Sequence, residues 1–65
     1  MKLKLNGKEV ETSAKTLSEL IKEKNIPQSK VAVEVDGEIV PKSQLDNYIL
    51  KEHSAVEIIT FVGGG

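Results

Sequence analysis

Two Asx-Gly dipeptides, Asn6-Gly7 and Asp36-Gly37, each stand between short runs that alternate apolar and polar residues. Both central positions of a two-residue hairpin turn require φ > 0, which Asn, Asp and Gly tolerate and most residues do not. The pattern therefore predicts two β-hairpins. In the first, Leu3 and Leu5 share a face, and residues 8–12 return with Val10 and Thr12 opposite in facing to Glu9 and Glu11. In the second, Val31-Ala32-Val33-Glu34-Val35 puts its valines on one face. Glu38-Ile39-Val40 returns until Pro41 ends the strand or confines it to an edge.

Between the hairpins the period changes. Thr16 reads as a helix N-cap, and with Glu19 three residues on, Thr16-Leu17-Ser18-Glu19 fits a capping box. Leu17, Leu20 and Ile21 then share one helix face. Asn25 tolerates a left-handed terminal position and Pro27 follows, so the helix ends near Lys24 or Asn25, and Ile26 folds back onto the core. After the second hairpin, residues 42–47 read as a single helical turn, Tyr48-Ile49-Leu50 as a short extended piece, and Glu52-His53-Ser54 as a turn. Residues 55–62 are the most apolar run, rich in β-branched side chains. They predict a strand buried on much of both faces and hence central in its sheet.

This order predicts an α+β fold: a mixed sheet of four to five strands with one main helix packed across it, the last strand beside the first. That is the β-grasp architecture. Residues 1–61 form the expected domain and residues 62–65 a flexible C-terminal glycine tail.

At 65 residues the chain is one domain with a marginal core, burying only about 60% of its unfolded surface. That leaves little room for an enclosed active site. The absence of cysteine excludes disulfides and thiolate metal sites. A net charge of −1 and the lack of any Arg argue against nucleic acid. The alternating start, Met1-Lys2-Leu3-Lys4-Leu5, is not a signal peptide, and no apolar run approaches the roughly 20 residues of a membrane helix, so the expected location is cytoplasmic.

The chemistry worth weighing lies at the end, Phe61-Val62-Gly63-Gly64-Gly65. Glycine lacks a Cβ, so a glycine arm can thread a narrow tunnel. Extended, residues 62–65 reach roughly 13 Å. The Gly65 carboxylate is an anion at neutral pH and a poor acyl donor until activated, for example as a mixed anhydride with AMP. The chain has no phosphate-binding loop, so any ATP chemistry belongs to a partner. The bland alternative is a frayed end or an expression scar. A tail that continues an apolar strand without a polar linker favours function. If Val56, Ile58 and Thr60 face the helix, Ile59 and Phe61 face away beside the tail as a candidate docking patch, unless a bulge or covering loop buries them. His53, the only histidine, reads as a turn residue, Tyr48 as a packing residue, and the scattered lysines as solubilising.

Several stretches together resemble one family. They are the Asn6-Gly7 turn, Thr16-Leu17 with Leu20, Val31-Ala32-Val33 followed by Asp36-Gly37-Glu38-Ile39-Val40-Pro41, and Val56-Glu57-Ile58 leading into the glycine tail. Over nearly its whole length the chain resembles the thiamine-biosynthesis sulfur carrier proteins of the ThiS family, which are small ubiquitin-like β-grasp domains. The resemblance implies a cycle. A ThiF-type adenylating enzyme, using ATP with Mg, activates the carboxylate of Gly65. A sulfur donor protein converts it to a thiocarboxylate, and a ThiG-type thiazole synthase takes the sulfur. Gly64 is the penultimate glycine of the motif, and Gly63 and Val62 complete the arm. The carrier itself is not an enzyme, binds no cofactor or metal, and has no catalytic residue. Two departures stand out: Glu52-His53-Ser54-Ala55 where relatives often have Gly-Asp, and Lys42 where they often have Arg after the proline. The alternatives are a sulfur carrier of another pathway, such as the molybdopterin synthase small subunit, and a non-catalytic ubiquitin-like interaction module.

Overall fold

The computed structural model describes residues 1–61. Strands β1 (Lys2–Leu5) and β2 (Lys8–Glu11) form the first hairpin. Helix α1 (Leu17–Glu23) follows, then a 3₁₀ turn at Gln28–Lys30 that the sequence pattern did not signal. Strands β3 (Val31–Val35) and β4 (Glu38–Val40) form the second hairpin, a 3₁₀ turn covers Lys42–Gln44, and β5 (Ala55–Thr60) closes the sheet. The five strands lie in the order β2-β1-β5-β3-β4, with β5 parallel to β1 and antiparallel to β3. This is the expected β-grasp: a mixed five-stranded sheet with one helix.

Both hairpin turns take the conformation their residues permit. Asn6 and Gly7 have φ of 50° and 84°, and Asp36 and Gly37 have 51° and 87°. Asn25, at φ 58°, closes the helix in the left-handed region.

The Thr16 hydroxyl accepts from the Glu19 N–H at 3.2 Å, as a cap should. The reciprocal half of the capping box differs: the Glu19 carboxylate accepts from Lys15, one residue further back, at 2.6 Å. Thr16 itself bridges to Ile49, and that bridge draws the loop onto the helix start. The N–H of Leu17 donates to the Tyr48 carbonyl and that of Ser18 to the Leu45 carbonyl, so the loop satisfies two of the helix's orphan donors. At the other end Thr12 donates its hydroxyl to Glu23 at 2.7 Å, tying β2 to the helix.

The core joins Leu17, Leu20 and Ile21 of the helix to Leu3, Val31, Val33, Val35, Val56 and Ile58 of the sheet, with Leu45 and Leu50 from the loop. Each such side chain contributes roughly 1.5–3 kcal/mol by leaving water. Ile26 and Tyr48 pack partly buried against it.

One expectation fails. β5 is central, yet it is buried on one face only: Val56 and Ile58 are buried, whereas Ala55, Glu57 and Ile59 are exposed. A strand becomes central by pairing along both edges, and a single helix covers a single face. Thr60 belongs by alternation to the helix side, but as the last residue of the strand it is exposed.

Candidate functional site

β5 ends at Thr60, but its ladder continues one step: the Phe61 N–H donates to the Lys30 carbonyl at 2.8 Å. That bond fixes Phe61, the last described residue, against the turn before β3. Val62, Gly63, Gly64 and Gly65, the expected arm and acyl site, lie outside the described residues.

Lys42 helps hold this contact. Its ammonium donates to the Ser29 carbonyl at 2.7 Å, bracing the 3₁₀ turn that presents Lys30 to Phe61. The residue at the often-Arg position of the family pattern thus has an internal partner, which sequence spacing could not reveal.

Alternation along β5 puts Ile59 and Phe61 on the face away from the helix. They are 48% and 55% exposed, so neither a bulge nor a loop covers them. Ile39 on β4 joins them at 75% exposed. The sequence pattern puts Ile39 on a strand, and its alternation with the buried Val40 is the signal that turns it outward.

The polar side chains of this open face divide into two halves. On the β1–β2 half, Lys2 stands opposite Glu11 and Lys4 opposite Glu9. On the β3–β5 half, Glu34 stands opposite Glu57, with Ala32 opposite Ile59 in one neighbouring position and Glu34 flanked by Ile39 on its other side. Like charges directly opposite across a ladder are destabilising, and opposite charges stabilising.

Asn6 does more than turn the chain. Its carboxamide accepts from the Ile58 N–H at 2.8 Å and donates to the Ile58 carbonyl at 3.2 Å. A side chain thereby extends the β1–β5 pairing past the end of β1, towards Ile59 and Phe61.

At the opposite end of the sheet, His53 sits at φ 65° in the turn before β5. The Glu52 carboxylate accepts from the Lys2 N–H at 2.6 Å, and this bond holds its pKa below the ordinary carboxylate range. Asp46, beside the helix start, is lowered in the same way, first by the Ser18 hydroxyl and then by Gln28. Both are structural contacts. Among the described residues no cavity opens, no His, Asp and Glu side chains group as metal ligands, and no helix is long and apolar enough to cross a membrane.

The geometry is therefore a sheet with one bare, partly apolar face and Phe61 hydrogen-bonded to Lys30 just past the end of its central strand. The model of the ThiS family matches residues 3–65, nearly the whole chain including its last glycine. The chain belongs to the ThiS family.

Solved members superpose closely. The crystal structure of the thiamine biosynthesis protein ThiS from Geobacter metallireducens matches with a TM-score of 0.83 and 32% identity, covering 100% of both chains. A solution structure of a thiamine biosynthesis protein from the same organism gives 0.79, covering 100% of this chain and 88% of that one. A curated relative from Paramagnetospirillum magneticum, named thiazole synthase, is 42% identical over 66 residues. This chain covers 20% of that relative, and so spans about a fifth of its length.

Proposed function

We propose that this ThiS-family chain is a sulfur carrier for thiazole formation in thiamine biosynthesis, with Gly65 as the acyl site. The observation that carries this reading is the family match running through residue 65, on a sheet whose central strand leads directly into the glycines.

The chemistry starts from a carboxylate, which must be activated before it can accept sulfur. An adenylating partner of the ThiF type joins the Gly65 carboxylate to AMP from ATP, releasing pyrophosphate. Hydrosulfide released by a donor protein then attacks the acyl carbon, the C–O bond to AMP breaks, and loss of the S–H proton leaves a thiocarboxylate. A thiazole synthase consumes that sulfur and regenerates the carboxylate. The relative named thiazole synthase, which contains a segment 42% identical to this chain, supports such an enzyme as the receiving partner. The carrier supplies position: Gly63 and Gly64 let the backbone enter a narrow site, and Ile59 and Phe61 give a surface against which a partner can seat. Catalysis, ATP and magnesium belong to the partners.

Intact-mass analysis tests the reading. After incubation with a cognate adenylating enzyme, ATP and a sulfur donor, the protein should gain the mass difference between sulfur and oxygen on its last residue. The product should support thiazole formation in a reconstituted synthase. No gain with the cognate enzyme, or full activity after deletion of Gly64 and Gly65, sinks it.

A further inference from the structure

We infer that the β3–β5 half of the open face seats a basic side chain of the protein partner, an arginine or lysine held by Glu34 and Glu57 between Ile39 and Ile59. The inference rests on the carrier reading and names the chemistry by which a partner recognises this face.

The two halves of the open face differ in how their charges are paired. On the β1–β2 half every outward charge has an opposite charge across the ladder, Lys2 with Glu11 and Lys4 with Glu9. On the β3–β5 half the cross-strand pair is Glu34 with Glu57, two carboxylates on neighbouring strands. Cβ atoms so placed are about 4.5–5.5 Å apart, and the pairing works against the fold. Asn6, one residue beyond the last β1–β5 pair, spends its carboxamide on the backbone of Ile58, and Lys4, across from Ala55 on the same face, already stands opposite Glu9. Ile39 borders Glu34 on the β4 side. Among the described residues, no cation stands directly across the β3–β4 or β3–β5 ladder from either carboxylate.

The same half carries the exposed apolar residues Ile39, Ile59 and Phe61. A partner covering them would also cover the two carboxylates, and desolvating like charges is costly unless a cation arrives with the partner. An arginine suits the place best, because its planar fork can donate to two carboxylates at once. The charge pattern disfavours a second copy of this chain seated with its twofold axis at this pair. Two such faces packed about a twofold axis would bring four carboxylates together.

Calorimetric titration of the cognate adenylating enzyme and thiazole synthase tests this with three proteins: wild type, E34Q/E57Q and E9Q/E11Q. Both double variants remove the same charge from the same face, but only the first removes it from the proposed seat. E34Q/E57Q should weaken binding to at least one partner about tenfold or more, while its own urea midpoint stays level or rises. E9Q/E11Q should bind as wild type does. Equal weakening by both variants assigns the effect to the general field and overturns the inference. So does unchanged affinity in E34Q/E57Q, including the case in which that variant self-associates in sedimentation, which would make the pair a guard against self-pairing. Those outcomes leave wild-type sulfur loading intact and the carrier reading standing. A wild type that neither binds nor is loaded overturns both.

Discussion

Asn6 and Ile58 are joined by two hydrogen bonds running in opposite senses, the carboxamide of one meeting both backbone groups of the other at 2.8 and 3.2 Å. A turn residue thus supplies one rung of the central ladder. Replacing Asn6 by Gly keeps the left-handed turn but deletes the rung. N6G should cost about 1–2 kcal/mol, at roughly 1 kcal/mol per net hydrogen bond. The Ile58 amide should exchange faster with solvent. A urea midpoint and an Ile58 exchange rate both equal to wild type would show the rung to be dispensable.

His53 holds φ 65° in the turn before β5. A left-handed backbone costs a residue with a Cβ roughly 1–2 kcal/mol, partly offset in comparison with Gly by the latter's greater freedom when unfolded. H53G should therefore stabilise the domain by about 0.5–1 kcal/mol, seen as a higher urea midpoint at unchanged slope. A lower midpoint would mean that the imidazole makes a compensating contact.

Lys42 braces the turn that receives Phe61. K42M should cost only about 0.5–1 kcal/mol of global stability, yet raise hydrogen exchange at the Phe61 amide more than at Ile58. K42R should restore protection. Equal acceleration at both amides would point to general loosening and not to a local brace.

Glu52 and Asp46 set the acid limb. Each has its pKa depressed in the fold, Glu52 chiefly by the Lys2 N–H and Asp46 chiefly by the Ser18 hydroxyl. A carboxyl lowered on folding contributes stability in full above its unfolded pKa, and that stability is lost as the pH falls through the native value. These two contributions should be constant at neutral pH and decline below about pH 4. The double variant E52A/D46A should be less stable at pH 7 and lose less between pH 5 and pH 2. Urea midpoints across that range decide it: parallel curves for variant and wild type would exclude both groups.

The helix seam is the largest single liability. Leu20 is fully buried between α1 and the sheet. L20A should cost about 2–5 kcal/mol. Against the roughly 3–10 kcal/mol available to a domain of this size, that should lower the melting temperature by about 10 °C or more by circular dichroism. A cooperative melt within a few degrees of wild type would contradict it.

The hairpins, the helix and the place of β5 in the sheet were legible because each has a local cause: an Asx-Gly pair, a capping threonine, a β-branched run. Ile59 and Phe61 were readable as outward residues from alternation alone. The single-sided burial of β5 was not, since counting apolar residues along a strand measures how much it can bury and not what else is there to cover it. The Glu34–Glu57 opposition depends on the register between strands far apart in sequence, and the roles of Asn6 and Lys42 depend on side chains reaching across it. Local patterns specify elements; which side chains meet is settled only by how the elements assemble.

The position of β5 has a mechanical consequence. A force applied to the chain beyond Phe61 is transmitted into β5, which ends one residue earlier at Thr60. β5 is clamped by β1 on one side and β3 on the other, so a tug along it loads both ladders broadside, many bonds at once. An edge strand tugged outward would peel one bond at a time. On the carrier reading proposed above, a partner that draws on this end of the chain would load both ladders at once and leave the domain folded.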